Sequence, residues 1–177
     1  MPRLNTIEPA QATGKAKEIF DGPLAGKHLN IFKGMANSPA ALQFYLGGSG
    51  ALAEASLSAA EQEVVQLVFA QANDCDYCQA AHTAMGQGAG LSQDQTIAAR
   101  RQSDLGDAKL SALARFAGAI HEKKGFVSDD DVSAFRSAGY DDGAIAEVIA
   151  TAALATYTNW FNHINQTAVD LPSPPAV

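Results

Sequence analysis

The sequence is expected to fold as an all-α protein, and three observations lead there. Apolar residues recur at helical spacing along most of the chain, capping residues stand before the periodic stretches, and no segment alternates apolar and polar residues between hairpin turns. Composition points the same way: 47% hydrophobic and 18% charged residues, few aromatics and 7 prolines favour packed helices over sheet or disorder. A chain of 177 residues is large enough for one ordinary core, so residues 1–177 are read as a single domain.

The elements follow from local chemistry. Pro9 to Phe20 reads as a first helix, stopped by Asp21-Gly22-Pro23, and a short helical segment is expected from Leu29 to Ala36. Ser38-Pro39 is a cap followed by proline at the first helical position, opening a helix that reaches Glu54 with a kink at Gly47-Gly48. Ser58-Ala59-Ala60-Glu61 has the form of a capping box, and the helix behind it is too apolar for a surface position. It ends near Asn73-Asp74, with Asp74 expected as the cap of the next helix, which carries two cysteines and is closed by Gly86, Gly88 and Gly90.

A second capping pattern, Ser92 to Gln95, starts a helix that stops before Asp104-Leu105-Gly106. Asp107 caps another in which Leu110, Leu113, Ala114, Ala117 and Ile120 form one stripe, ended by Gly125. Ser128 and the acid run Asp129 to Asp131 open a short helix ended by Gly139, and a long helix is expected from Asp142 to about Ala168. The proline-rich tail, 170–177, should be loosely ordered. One internal similarity stands out. At an offset of 84 positions Glu63-Val64-Val65 falls on Glu147-Val148-Ile149, and Cys75, Cys78 and His82 fall on Asn159, Asn162 and Gln166. A two-fold repeat of a helical hairpin, or chance in an alanine-rich chain, accounts for it.

Charge excludes some functions. A net charge of -7 with no basic run longer than two residues leaves nothing to drive counterion release from a nucleic acid, so no such partner is expected. Neither a signal-peptide core nor a membrane-length apolar run occurs, which predicts a cytoplasmic protein without membrane contact. In such a reducing compartment two cysteines three positions apart make a poor staple, because so short a loop restrains little of the unfolded chain.

They are better read as chemistry. Cys75, Cys78 and His82 fall within about 60° of one another on a helix of 3.6 residues per turn, whereas Tyr77 points elsewhere. A thiol attacks as thiolate, and a helix N-terminus and a nearby imidazole both favour that form. A carboxylate orienting the imidazole would complete a relay. Glu61 and Glu63 compete for that role. The capping box already occupies Glu61, which leaves Glu63 as the acid with no local structural task.

Glu63, then Cys75-Asp76-Tyr77-Cys78 twelve residues on, then His82 four residues after the second cysteine, resembles the core motif of alkylhydroperoxidase D (AhpD-like) proteins, a group that includes the carboxymuconolactone decarboxylases. Residues 57–90 carry most of the resemblance, and Asn159-Trp160-Phe161-Asn162-His163 is similar to a C-terminal segment of peroxidase-related members. The resemblance implies an AhpD-like helical bundle, assembled as a trimer or hexamer, that reduces hydroperoxides. It implies Cys78 as the attacking thiol, Cys75 as its resolving partner and Glu63 with His82 as the proton relay. No bound cofactor is implied; an external dithiol, such as a lipoyl-bearing protein, would supply electrons. Where this chain has Tyr77, alkylhydroperoxidase D commonly has His.

Other readings stay beside this one. The cysteines could be two small buried hydrophobes, or Cys75, Cys78 and His82 could hold zinc in a structural module. A general disulfide oxidoreductase and a decarboxylase-like enzyme are the enzymatic alternatives. Tyr77 and His163 are candidate pocket residues, with His163 read in the first place as a satisfied structural histidine. His28 and His121 are expected at surface or packing positions, and Glu147 fits either a buried or an exposed helix site.

Overall fold

The computed structural model describes residues 1–177 and contains helices and no strands. A 3-10 turn at Pro9–Gln11 precedes α1 (Gly14–Asp21), α2 (Asn30–Met35), α3 (Pro39–Leu52), α4 (Ala59–Ala72) and α5 (Asp76–Gly88). Then come α6 (Gln93–Arg101), α7 (Ala108–Glu122), α8 (Asp129–Ser137) and α9 (Asp142–Asn165). Capping boxes form at Ser58, Ser92 and Ser128, each with its side chain accepting from the third helical amide and the third residue reaching back.

Helix α4 is the centre of the bundle and packs against α5, α6, α7 and α9. Val64, Val65, Leu67 and Val68 are fully buried, while Gln62 and Gln66 mark a half-buried side, and each such apolar side chain contributes roughly 1.5–3 kcal/mol by leaving water. Around it lies one apolar cluster that takes in Leu113, Phe116, Phe135 and Val148. Within it Phe135 stacks between Phe116 and Tyr140, with ring centroids 4.3 and 4.2 Å away. A second cluster joins α1, α2 and α3 to the cysteine helix through Phe20, Met35, Leu42, Cys75, Tyr77 and Cys78. The sulfurs therefore sit inside a core, between the centre of the bundle and its N-terminal segments.

Several boundaries differ from the sequence reading. The expected helix Pro9 to Phe20 is broken, because Ala12 and Thr13 are extended and Gly14 takes a left-handed φ of 52°. Helix α3 runs through Gly47-Gly48 without interruption and ends at Leu52. Gly86 does not close α5. It lies buried inside the helix, where a Cβ would come within 3.5 Å of Glu63 Cβ and 3.1 Å of Leu91 Cδ1, so its missing side chain lets α5 approach α4.

The tail expected to be loose has no helix but is held by hydrogen bonds. Asp170 accepts from the Tyr77 hydroxyl and the Asn30 amide, both at 2.8 Å, and Pro175 O accepts from Arg100 Nη1 at 2.6 Å. No helix is long and apolar enough to cross a membrane.

Candidate active site

The site starts at a tight connection between α4 and α5. Asn73 caps the end of α4, and Asp74 adopts a left-handed φ of 54°, a conformation that aspartate tolerates better than most residues. The turn closes with Cys75 N donating to Ala70 O at 2.9 Å. Asp74 is thus not the cap of the cysteine helix, as the sequence suggested, since its backbone is spent on the turn. Cys75 is the cap, and its sulfur accepts from the Cys78 amide at 3.3 Å.

Cys75 and Cys78 are joined as a disulfide, with Cα atoms 5.3 Å apart and both residues buried. Free amides and the helix dipole at the start of α5 favour negative charge on sulfur once the bond is reduced. A disulfide spends both sulfurs on each other, and no group of three or more His, Cys, Asp or Glu side chains is placed to hold a metal ion.

His82, two turns into α5, meets Glu63 of α4, with Nδ1 2.8 Å from Glu63 Oε2 and both residues 8% exposed. An ionised Glu63 accepts the Nδ1 proton, which leaves Nε2 as the basic ring nitrogen. The neighbouring carboxylate behaves differently. Glu61 accepts from Ser58 N and Oγ at 2.8 Å, from the Tyr140 hydroxyl at 3.0 Å and from Lys109 at 3.1 Å. Burial pushes its pKa up, but these hydrogen bonds outweigh it and hold the carboxyl below its usual range. Glu61 is structural, and Glu63 is the acid on the imidazole. Burial and then the charge of Glu63 push the Tyr45 phenol up.

Across the disulfide from α4 stands α9. Asn162, buried, donates from Nδ2 to Cys78 Sγ at 3.3 Å, with Cys75 Sγ at 4.0 Å. The sequence reading did not assign Asn162 a role. Two signals pointed to it: its place in the Asn159-Trp160-Phe161-Asn162-His163 segment, and its coincidence with Cys78 at the 84-residue offset. One turn back, Asn159 Oδ1 accepts from Asn73 Nδ2, and Asn73 Oδ1 accepts from His121 Nε2, each at 2.8 Å. His121 thus has a partner that no local sequence revealed.

Tyr77 sends its hydroxyl to Asp170 and accepts from the Ile31 amide, so burial first and then Asp170 push its pKa up. It and His163, whose Nε2 lies 3.3 Å from Asp74 O, line a cleft on which Cys75 opens. Behind the cysteines, the buried Arg100 of α6 donates to Gln79 Oε1 at 2.9 Å and Gln71 Oε1 at 3.0 Å, bracing α5 against α4.

An all-helical domain thus carries a Cys-x-x-Cys disulfide at the start of α5 and a buried imidazole–carboxylate pair between α5 and α4. Solved structures bear out the fold. A peroxidase-related protein of Ralstonia eutropha JMP134, described as an alkylhydroperoxidase AhpD core, superposes with a TM-score of 0.84 at 20% identity, covering 96% of this chain and 92% of that one. A peroxidase-related protein of Silicibacter sp. TM1040 gives 0.80 at 21% identity, covering 94% and 89%. A cysteine-to-alanine variant of the debrominase Bmp8, in complex with 2,3,4-tribromopyrrole, gives 0.79 at 15% identity, covering 96% and 92%.

The sequence profile of the carboxymuconolactone decarboxylase family matches residues 39–120, which run from the start of α3 into α7 and include Glu63, both cysteines and His82. The resemblance to the AhpD-like and carboxymuconolactone decarboxylase group therefore holds in both sequence profile and fold. No curated protein matches the chain in sequence. A debrominase and peroxidase-related proteins share this fold, so the fold does not fix the reaction.

Proposed function

We propose that the chain is a thiol-dependent peroxidase that reduces hydroperoxides through the Cys75–Cys78 pair. The observation that carries this reading is the buried His82–Glu63 contact at 2.8 Å, in the helix that bears the disulfide. A carboxylate on Nδ1 fixes the imidazole tautomer and leaves Nε2 free to act as a base.

In the cycle, His82 takes the proton of Cys78. The thiolate attacks the peroxide O–O bond, the alcohol leaves, and Cys78 becomes a sulfenic acid. Cys75 attacks that sulfur and expels water, giving the disulfide, and an external dithiol or lipoyl-type reductant protein returns the two electrons. Asn162 Nδ2, 3.3 Å from Cys78 Sγ, stabilises charge on the attacking sulfur. The protein needs no bound cofactor in this scheme.

Assembly of several copies is part of the proposal. Helix α9 exposes Ile149, Trp160 and Ile164, and α3 exposes Phe44, an apolar face suited to a second copy.

The test is stopped-flow thiol oxidation of the reduced protein with hydrogen peroxide and organic hydroperoxides. Cys78→Ser is expected to abolish peroxide consumption, and Cys75→Ser to arrest the protein at the sulfenic acid. Unaltered turnover in Cys78→Ser would sink the mechanism, and activity surviving loss of both thiols would point to decarboxylase-like chemistry.

A further inference from the structure

Both cysteines are buried, at 1% and 2% exposed, and what separates them is a cleft that reaches Cys75. A cleft of about 320 Å³ lies between the first turn of α5 and the end of α9, and Cys75 lines it while Cys78 does not. Tyr77, Asn162, His163 and Val169 form its walls, and the exposed carboxylates Asp74 and Asp76 stand at it. Asn162 is 5% exposed, and its Oδ1 is buried with no hydrogen-bond partner. An orphaned amide oxygen costs free energy, and Asn162 keeps that position with its Nδ2 on the sulfur beside the cleft.

We propose that this cleft admits the reductant, which attacks Cys75 Sγ, and that Asp74 and Asp76 select uncharged or cationic thiols over anionic ones. The inference rests on reading the pair as a working redox disulfide, and it adds the sulfur attacked, the route and the charge of the reductant.

The thiolate of the incoming molecule forms a bond to Cys75 Sγ. The Cys75–Cys78 bond breaks, and its electron pair leaves on Cys78 Sγ. A second thiol of the reductant then attacks the sulfur of its own adduct and releases Cys75 as thiolate. The reductant ends as a disulfide, having given two electrons, and two protons from the reductant thiols end on the protein or in water.

One hydrogen bond favours this direction. Asn162 Nδ2 is nearer Cys78 Sγ, at 3.3 Å, than Cys75 Sγ, at 4.0 Å, so it stabilises charge on the leaving sulfur. The Cys78 amide, 3.3 Å from Cys75 Sγ, stabilises the thiolate that Cys75 becomes when the second reductant thiol releases it. Two carboxylates beside the path raise the local concentration of cations and lower that of anions. His163 is the one residue of the cleft able to carry the opposite charge.

The experiment uses the whole oxidised protein and three thiols of similar size: cysteamine, which is cationic, 2-mercaptoethanol, which is neutral, and 3-mercaptopropionate, which is anionic. Reactions are quenched with N-ethylmaleimide at the earliest times, the cysteine peptide is mapped by fragmentation, and rates are expressed per thiolate. The expected map has the thiol adduct on Cys75 and the maleimide on Cys78. The expected rates fall from cysteamine to mercaptoethanol to mercaptopropionate, spread roughly tenfold at low ionic strength and compressed in high salt.

Asp76→Asn should narrow the spread by about threefold, as loss of one of two charges requires. An adduct on Cys78, or rates that are flat or reversed across the series, would overturn the proposal. No peroxide takes part, so a protein inert to hydroperoxides that gives this pattern would lose the peroxidase reading and keep this one. A good peroxidase with adducts on Cys78 would do the reverse.

Discussion

The hairpin α4–α5 and the single helix α9 hold residues that fall at one offset of 84 positions and put them to different uses. In the hairpin, the chain reverses at Asp74 and brings Glu63 to 2.8 Å from His82. In α9 no reversal occurs. Glu147 and Gln166 fall toward opposite ends of one helix, roughly 28 Å apart at 1.5 Å per residue.

Glu147 instead reaches the loop before α4, accepting from Ser56 N and Oγ and from Leu57 N at 2.7–2.9 Å. The hairpin's break also frees the amides that start α5, where the sulfurs sit. A continuous helix has no such amides in mid-course, and α9 contributes side-chain amides, Asn159 and Asn162. One segment supplies reactive groups, and the other holds them.

The sharpest way to break this comparison is to treat the two carboxylates alike. Glu63→Gln is expected to slow oxidation of the dithiol by peroxide by roughly 10²–10⁴-fold, because His82 loses the carboxylate that orients it as the base, with the helical circular dichroism unchanged. Glu147→Gln is expected to leave that rate unaltered. Equal effects of the two substitutions would mean that the hairpin confers no special role on Glu63.

A smaller effect should come from α9. Asn162→Ala removes the donor to Cys78 and is expected to raise the Cys78 thiol pKa by about one unit, the scale of one charge-assisted hydrogen bond. Alkylation rates against pH, in a Cys75→Ser background, measure it. A pKa that does not move would reduce Asn162 to packing.

The smallest effect concerns stability. The Ser56 amide and then the Ser56 hydroxyl and Leu57 amide hold the Glu147 carboxyl below its ordinary value, against a lesser upward push from burial. A depressed pKa stabilises the fold above the unfolded value of about 4.5 and loses that contribution as pH falls through the folded value. Glu147→Gln should therefore cost up to about 1 kcal/mol near neutral pH in urea melts, discounted for its exposure, with the gap closing on acidification. A gap that widened in acid would reverse the sign of this linkage.

The residues that meet along one stretch of chain were legible. Ser58 and Glu61 lie within a single helical turn, so their capping box, and the release of Glu63 from that duty, followed from sequence. The common face of Cys75, Cys78 and His82 followed from helical phase. The boundary between Asp74 and Cys75 did not, because a cap and a left-handed turn residue draw on the same short polar side chains, and the tightness of the connection chose between them.

Sequence by itself thus determined that the protein is helical, where most helices begin, and that Cys75, Cys78 and His82 share one helix face, since these depend on spacing within a turn or two. Tertiary structure alone decided what surrounds the disulfide. Gly86 became a packing contact rather than a stop, Asn162 came from far along the chain to the sulfur, and the tail folded back onto Tyr77 and Arg100. Contacts across such separations are set by how whole helices pack, and no local pattern of apolar and polar residues encodes them.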